Sequence, residues 1–370
     1  MKRRIIFVLI FFVILIIEFS HILLPAQFKD VRIGRNLVVD DALNFYTDIS
    51  DCQIAKYSPE GKELFKIARE GEGPGDIKRL GWFAINPKDS MLYVTEMAGG
   101  NKRISVFSPE DGHFVRLWPS RLEWKNWDGI SHIQCDNQGN VYVEAVKSHW
   151  RRHKTFSIGA LEKVIIKFDS QGKLVKELYR MQSDFMADQG GKGNITIPYS
   201  NYLYWRVHGR YLFVRENHSR YIDVFLLNGK PVKKILLPFP RDEISREDLE
   251  KWEKRLISNP VIKQGIQEGW FDLKFWKKNL PFPKYKWVSG GQMFWGSGGE
   301  LYSQKAAGYG NENENTWAVI TPGSWKVEVY RFPLKHRLRC IKDHSFFFTV
   351  QETEGEEVLR IIDKEMVIKK

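Results

Sequence analysis

FAINPKDSMLYVTEMAGGNKRISVFSPEDG, residues 83–112, is the stretch that decides the fold. It holds three short apolar runs, 83–85, 92–94 and 103–107, separated by segments rich in Gly, Pro, Asp and Asn. Aromatic and β-branched residues suit a half-buried strand, whereas Gly, Pro and Asp suit tight turns. The stretch therefore predicts consecutive short β-strands that end in the turn 108–112.

The same pattern recurs six times along the 370 residues. A Gly- or Pro-marked turn follows an apolar strand at 58–61, 108–112, 169–172, 227–229, 321–323 and, with a weaker signal, 363–365. An aromatic residue stands in the middle of the second strand of every unit: Tyr46, Tyr93, Tyr142, Phe213, Tyr302 and Phe348. A unit repeated in this way is typical of a propeller, in which the repeated aromatic packs between neighbouring blades.

The repetition predicts an all-β fold, a six-bladed β-propeller of four-stranded antiparallel blades. A helical insertion is expected between blades four and five, and a hydrophobic segment at the N-terminus. One domain is predicted over 29–370, because each blade of a propeller packs only on its neighbours and such domains run long. The blades are predicted at 31–70, 77–120, 128–181, 199–239, 287–334 and 336–370.

The second of these units resembles an NHL repeat. Residues 83–112 carry the resemblance, and the preceding 71–76, Gly-Glu-Gly-Pro-Gly-Asp, is similar to the linker before such blades in bacterial six-bladed β-propeller proteins with NHL-like repeats. The match is good over 36–120 and poor in the last two units. The resemblance implies a fold more than an activity, since such propellers serve as binding proteins, lyases and lactonases.

Extra residues at 147–162, 184–195 and 240–286 depart from the plain repeat. In the last of these segments, Ser245 and Asp248 predict a capping box at the start of a helix. Apolar residues then recur at helical spacing in two runs, separated by 259–260: Leu249, Trp252 and Leu256, then Ile262, Ile266 and Trp270. By the NHL resemblance, the insertion 240–286 and the loop expected at 147–162 share one face of the disc.

The N-terminus has the composition of an export signal. Lys2, Arg3 and Arg4 precede the apolar run 5–17, which Glu18 interrupts. A helix over this run covers about 20 Å, short of the roughly 30 Å of a hydrocarbon core, although apolar residues after Glu18 could lengthen it. Residues 1–28 are thus predicted to be a signal peptide or an N-terminal membrane anchor. In both cases the body lies outside the cytoplasm, in the periplasm or at the cell surface.

The formal net charge of +12 fits a polyanionic partner. Export would separate the protein from cytoplasmic nucleic acid, so no nucleic-acid partner is expected. The expected partners are a protein, peptide or glycan outside the cytoplasm, and the membrane through the N-terminal segment.

Four acidic residues follow second strands and would lie near the mouth of the propeller: Asp48, Glu96, Glu144 and Glu216. Such a ring of carboxylates could hold a divalent cation such as calcium, the one cofactor that the sequence suggests. Two of the acids stand two residues after the strand aromatic and two stand three after it, and an offset of one residue reverses the side that a strand residue faces. Pinning of turns and loops is therefore the alternative role.

A basic and aromatic cluster at 148–154 suggests a binding surface. Its candidate ligand-binding residues are His149, Trp150, Arg151 and Arg152, joined by Arg215 and His218 of blade four and by Trp252 of the insertion. Arginine binds carboxylate or phosphate through paired donors, and tryptophan stacks on sugars or cations. The alternative is a loop kept soluble by its charges.

No motif in the sequence indicates nucleophilic catalysis, because Gly-x-Ser-x-Gly, Walker, His-Glu-x-x-His and Cys-x-x-Cys patterns are all missing. We therefore predict a non-catalytic binding module for a peptide, a glycan or an envelope protein rather than an enzyme. The alternative is a metal-dependent, lactonase-like hydrolase or lyase that uses the carboxylates at the propeller mouth.

Overall fold

The structure, a computed structural model, describes residues 26–28, 31, 33–97, 103–118, 127–153, 156–188, 194–287, 289–296, 299–306, 315–332, 336–342, 345–351 and 357–363. Within these ranges the chain forms 25 strands and three helices. Every pairing between these strands is antiparallel. The all-β class predicted from the repeat is confirmed.

The described strands form six sheets, of which five have four strands and one has five. The first three sheets are β2 (Leu37–Val39), β3 (Phe45–Asp48), β4 (Ile54–Tyr57) and β5 (Glu63–Ile67); β6 (Leu80–Ile85), β7 (Leu92–Glu96), β8 (Ile104–Phe107) and β9 (Phe114–Trp118); and β10 (Gly129–Cys135), β11 (Val141–Arg152), β12 (Ser157–Phe168), β13 (Leu174–Asp188) and β14 (Asn194–Thr196). The last three are β15 (Leu203–His208), β16 (Tyr211–Glu216), β17 (Tyr221–Leu226) and β18 (Pro231–Leu236); β19 (Ser289–Trp295), β20 (Leu301–Lys305), β21 (Thr316–Thr321) and β22 (Lys326–Arg331); and β23 (His336–Lys342), β24 (Ser345–Gln351) and β25 (Glu357–Asp363), to which β1 (Ala26–Phe28) is added.

Neighbouring sheets pack face to face. Their first strands contact one another in chain order, and the first strand of the last sheet also contacts that of the first sheet. An apolar cluster lies between each pair of successive sheets. A further cluster joins the last sheet to the first, where Phe347 and Leu359 pack with Phe45 and Tyr57. A β-propeller fits this arrangement, because propeller blades pack face to face around a common axis.

The aromatic residue predicted in the middle of each second strand lies in these clusters. All six side chains are at most 1% exposed. In the first three sheets the buried phenol donates a hydrogen bond to an aspartate in the preceding turn: Tyr46 to Asp40 at 3.4 Å, Tyr93 to Asp89 at 3.0 Å and Tyr142 to Asp136 at 2.9 Å. The repeat thus encodes both the packing of the ring and the partner that a buried hydroxyl requires.

The repeated turns are also confirmed where they are described. Their glycines have φ between 75° and 87°: Gly61, Gly112, Gly172, Gly229 and Gly323. This is the left-handed region, in which a side chain would be strained. Of the weaker sixth turn, only Asp363 lies within the described residues, at the end of β25.

The last sheet contains a strand that the sequence did not predict. Ala26, Gln27 and Phe28 pair with Ile361, Arg360 and Leu359, so that β1 becomes the fourth strand of this sheet. The assignment of 1–28 to a signal peptide or anchor stays a prediction, and 1–25 lie outside the described residues. Among the helices that the structure describes, none is long and apolar enough to cross a membrane.

Three helices occupy the segment between β18 and β19: α1 (Arg246–Ser258), α2 (Pro260–Gln267) and α3 (Leu273–Asn279). The predicted capping box is present, since Ser245 Oγ accepts the N–H of Asp248 at 3.2 Å and the Asp248 carboxylate accepts the N–H of Ser245 at 2.9 Å. Asn259 ends α1, and its side chain caps α2 by accepting the N–H of Val261. The third helix, which Asp272 caps, was not predicted.

The segment expected to form a loop at 147–162 is mostly strand. β11 and β12 stay paired until Arg152 meets Ser157, so the loop prediction was wrong. The extension is possible because the helices cover its apolar side: Ile158 packs in one cluster with Trp252 and Trp276, and the Phe156 ring lies 5.7 Å from that of Phe275. Hairpin and helices therefore pack against each other.

Candidate functional site

A cavity of about 410 Å³ lies among the first strands of the six sheets. We call it the central cavity. Each first strand contributes to its wall through residues that include Leu37, Trp82, His132, Arg206, Phe294 and Cys340. Because these six strands belong to six different sheets, the site is assembled from residues that are far apart in the sequence.

The alternation of a strand explains how polar side chains reach this cavity. In β15, Leu203, Trp205 and Val207 are buried, whereas Tyr204 and Arg206 between them are half-buried and line the cavity. Successive residues of a strand point to opposite sides. The apolar set packs between the third and fourth sheets, and Tyr204 and Arg206 lie on the other side of β15; Leu203 and Trp205 reach the cavity from the first side.

Cations outnumber carboxylates in the cavity wall. The lining includes five Lys or Arg residues and one acid, Glu144. Three of the cations have carboxylate partners: Lys163 with Glu144 at 2.9 Å, Lys342 with Asp41 at 2.5 Å, and Arg35 with Asp51 at 3.5 Å. The other two, Arg206 and Arg339, form no ion pair within the described ranges, and the charges of Glu357 and Asp48 lie near Arg339.

Arg206 is held by neutral acceptors. Its Nε donates to the carbonyl of Met293 at 2.7 Å, and its Nη1 donates to His132 Nε2 at 2.8 Å and to the carbonyl of Trp205 at 3.2 Å. Burial lowers the pKa of Arg206 to about 10, so the guanidinium still carries its charge at neutral pH. Its Nη2 has no hydrogen-bond partner in the part of the chain that the structure describes. The side chain is surrounded by protein, but it is only half-buried because it faces the cavity.

His132 acts as an acceptor for this arginine. Burial, followed by the nearby charges of Arg206 and Lys163, holds the pKa of His132 well below its usual value, so the ring is neutral. Nε2 accepts from Arg206 and lies 3.0 Å from Gln134 Nε2, which places the ring proton on Nδ1. The ring makes edge contacts with Trp82 and Trp205, with centroids 4.6 and 5.0 Å away.

Arg339 is the second cation that forms no ion pair within the described residues. Its Nη2 donates to the carbonyl of Gly34. Burial and then the nearby charge of Arg337 lower the pKa of Arg339, while the charges of Glu357 and Asp48 oppose this shift. It lines the same cavity as Arg206 but comes from β23 rather than β15.

Two of the four predicted carboxylates accept hydrogen bonds from the backbone just before the first strand of their own sheet. Asp48 accepts the backbone N–H of Asn36 at 2.6 Å, and Glu96 accepts the backbone N–H of Lys78 at 2.8 Å. Both acids are nearly fully buried. Their contacts match the alternative role of pinning loops.

The other two carboxylates are held by neighbouring side chains. Glu144 is bound by Lys163 Nζ and by Trp205 Nε1, each at 2.9 Å, and Glu216 accepts the Tyr179 hydroxyl at 2.8 Å. Within the described residues, no group of three or more His, Cys, Asp or Glu is arranged to hold a metal ion. The metal site considered from the sequence gains no support from this geometry.

The basic residues of the predicted surface cluster lie on the extended hairpin. His149 Nε2 is 2.9 Å from Glu162 of the paired strand β12, and Arg151 forms an ion pair with Asp184 of β13, one strand further along the sheet. Arg152 is exposed at the end of β11. The first two side chains are thus engaged within the sheet.

Trp150 is 49% exposed on the same strand. It pairs across the hairpin with Gly159, and a Cβ at this glycine would lie 3.2–3.3 Å from the indole ring. The indole therefore covers a glycine that has no side chain of its own, a recognised way of stabilising strand pairs. The contact gives this exposed ring a structural role.

Arg215, a further binding candidate, is fully buried behind the cavity wall. It donates to the Ser303 hydroxyl, and its guanidinium lies 5.2 Å from the centre of the Tyr204 ring. Burial lowers the pKa of Arg215 to about 9. It supports the wall that Tyr204 presents to the cavity.

The remaining candidates lie elsewhere. His218 bonds the carbonyl of Tyr199, and Trp252 is 5% exposed in the cluster between helices and hairpin, where its ring lies 5.4 Å from that of Phe282. The candidate residues therefore do not converge on one pocket.

Arg206 and His132 were missed by the sequence reasoning, although a signal was present. His132 and Gln134 alternate with apolar residues in one first strand, as Tyr204 and Arg206 do in another. Polar residues at every second position of an innermost strand face the cavity, and this pattern could have identified them.

Neither a protein-family model nor a curated protein matches the chain. Among solved structures, a DUF4221 family member from Bacteroides vulgatus has a TM-score of 0.48 and 10% identity, with 92% of this chain and 97% of that chain covered. A protein of Bacteroides fragilis described as exported has a TM-score of 0.47 and 13% identity, with 92% and 95% covered. A luciferin-regenerating enzyme has a TM-score of 0.43 and 11% identity, with 91% and 92% covered. These values carry no argument about function.

Proposed function

We propose that this protein is an extracytoplasmic, non-catalytic binding protein built on a closed six-bladed β-propeller with NHL-like repeats. The ordered contacts among the first strands and the cluster between the last and first sheets support a closed ring. In this proposal β1 fastens the ring by joining the N-terminal side of the domain to the last blade. Closure leaves few strand edges open to unwanted pairing.

The extracytoplasmic part of the proposal depends on the N-terminal sequence. Lys2, Arg3 and Arg4 followed by the apolar run 5–17 support export. These residues lie outside the described ranges, so their role as a cleaved signal or an anchor stays a prediction.

The proposed ligand site is the central cavity. The observation that carries this proposal is an interior space of about 410 Å³ walled by aromatic rings with a few convergent polar groups. Cavities of about 300–1,000 Å³ with such walls are typical of sites for small molecules. A single site on the common axis would contact all six blades at once.

Three groups of the wall could in principle serve catalysis, and each is engaged or protonated. The acceptor nitrogen of His132 is occupied by Arg206. Burial raises the pKa of the Cys340 thiol to about 11, which removes the reactive thiolate at neutral pH. Glu144 is bound by Lys163. This arrangement favours binding over the hydrolase or lyase considered as the alternative.

A contact between the exposed end of the hairpin and a protein, peptide or glycan stays a prediction. Trp150 and Arg152 remain exposed there. The Trp150 indole lies over Gly159 of the paired strand.

Filling the cavity tests the proposed function. A library of small aromatic, acidic and sugar-like compounds would be screened by tryptophan fluorescence, because Trp82 and Trp205 line the cavity. We expect saturable binding of at least one class, lost in Cys340→Phe and retained in Cys340→Ala. Leu37→Phe serves as the second filling variant if Cys340→Phe does not fold. Unchanged binding in a folded filling variant would place the site elsewhere.

A further inference from the structure

We infer that the central cavity recognises a small organic anion, whose carboxylate or phosphate group binds Arg206 and whose apolar body lies against the aromatic wall. This inference rests on the proposed function and names the class of its ligand. It is carried by the charges of the cavity wall and by the hydrogen bonds of Arg206.

Arg206 lacks a counter-ion within the described residues. Charged groups inside proteins are normally paired, because removal from water disfavours an isolated charge. Lys163 follows this rule through the buried Glu144, and Lys342 and Arg35 pair with the exposed Asp41 and Asp51. Arg206 forms no ion pair with any carboxylate in the described ranges. Arg339, which faces the same cavity, forms none either, but it lies near the charges of Glu357 and Asp48. A ligand that carries a negative charge would complete the pairing.

The side chain of Arg206 is held in a fixed orientation. Two carbonyl oxygens, of Met293 and Trp205, and the neutral His132 ring hold Nε and Nη1 in place. Nη2 has no such partner among the described residues. A guanidinium fixed on one side and open on the other is prepared to donate to an oxyanion without losing further freedom.

Arg206 also lies between the central cavity and a second, smaller cavity. Arg206, His132 and Trp82 line the central cavity and also a neighbouring space of about 230 Å³ bounded by β2, β6 and β10. The anionic group would therefore sit at the junction of the two, with aromatic surfaces on either side. Phe294 and Trp82 offer faces or edges for an apolar body.

The neutral state of His132 matters for the choice of ligand. A carboxylate at position 132 would pair with Arg206 internally and cancel its charge, whereas a neutral imidazole accepts one hydrogen bond and leaves the charge in place. The protein has the arrangement that keeps Arg206 positive and uncompensated. His132→Asp should therefore abolish anion binding even if it stabilises the fold.

The test compares matched probes on the purified full chain. Benzoate and phenyl phosphate carry the anion, and benzamide is the neutral match to benzoate. Tryptophan fluorescence and the unfolding midpoint report binding. We expect both anions, but not benzamide, to bind, and Arg206→Met to weaken them by about tenfold to a hundredfold, the effect of losing a charged hydrogen bond. Arg206→Lys, which keeps the charge without the fork, should lie between. The ratio of the two anion affinities distinguishes a carboxylate ligand from a phosphate ligand.

The outcomes separate this inference from the proposed function. Three results would each overturn the inference that the ligand is an anion. They are equal binding of benzoate and benzamide, unchanged affinity for the anions in Arg206→Met, and no binding of either anion at millimolar concentrations of about tenfold molar excess over the protein. If the filling variant Cys340→Phe abolishes binding of another compound while Arg206→Met leaves that binding intact, the cavity remains the site and only the anion inference fails. If filling changes nothing, both fail.

Discussion

The insertions and the central cavity use similar residues for different ends. The insertions hold several of the chain's tryptophans and a basic hairpin, yet Trp252 and Trp276 are buried in a second core and Arg151 is paired with Asp184. The cavity lies inside the regular repeat, where Arg206 faces open space without a carboxylate partner in the described ranges. An irregularity in this repeat therefore marks an added structural unit, whereas the proposed binding site lies at ordinary repeat positions whose side chains differ from sheet to sheet.

The largest expected effect comes from removing the centre of the second core. Trp276→Ala should lower the free energy of unfolding by about 3–5 kcal/mol, the usual range for a buried Trp or Phe replaced by Ala. Trp276 is 1% exposed and contacts the hairpin through Phe156. Urea unfolding measures the loss, and the affinity of the cavity for benzoate should not change. A parallel loss of benzoate affinity would show that the two regions are coupled and would break the comparison.

Removing β1 should have the next largest effect. A protein that begins at Lys29 lacks the fourth strand of the last sheet, whereas one that begins at Ala26 keeps it. We expect the shorter protein to be less stable by about 1–3 kcal/mol, because a few hydrogen bonds of about 0.5–1.5 kcal/mol each are lost. Thermal unfolding of the two proteins side by side provides the measurement. Identical midpoints would mean that β1 adds nothing to the stability of the last sheet.

Acid should destabilise the protein through the cavity. The pKa of His132 is lowered in the folded state, mainly by burial, so below the unfolded value of about 6.5 the unfolded chain binds more protons. Stability is therefore full above about pH 6.5 and falls as the pH drops towards 5. His132→Gln should flatten this dependence, while His113→Gln, at an exposed residue paired with Asp111, should not. Unfolding midpoints measured from pH 5 to 8 for the parent and the two variants provide the test. If the midpoint changes equally with pH in all three proteins, His132 is not the cause of the pH dependence.

The smallest effect is expected at the exposed end of the hairpin. Trp150→Ala should lower the free energy of unfolding by less than about 1 kcal/mol, because the ring covers Gly159 but stays half in solvent. Benzoate affinity should be the same as in the parent. This variant is also the matched tryptophan control for Trp276→Ala. A loss of benzoate binding here would move the ligand site to the outer surface.

Local features of the fold could be predicted because short stretches of sequence determine them. The turn glycines, the buried second-strand aromatics and the capping box at Ser245 depend on neighbouring residues alone. The pairing of β1 with β25 could not be predicted, because it joins residues at opposite ends of the chain. The paired extension of β11 and β12 was missed as well, since it depends on helices that follow it by about a hundred residues.

The candidate site was harder to predict than the fold for a related reason. Arg206 and His132 are 74 residues apart and meet only because the first strands of different sheets converge. Charge and aromatic content directed the sequence reasoning to 148–154, where the cations stand close together in the sequence. Once folded, His149 and Arg151 of that stretch lie beside acids. Clustering in sequence was thus a weaker guide than alternation within an innermost strand.

The most direct test of the central claim is the position of a bound anion. Crystals soaked with 4-bromobenzoate would be measured at the bromine absorption edge, so that the anomalous signal locates the ring and the density locates the carboxylate. We predict one site in the central cavity, with the carboxylate within hydrogen-bond distance of Arg206 Nη2. Bromine bound at the hairpin beside Trp150, with the cavity empty, would contradict it.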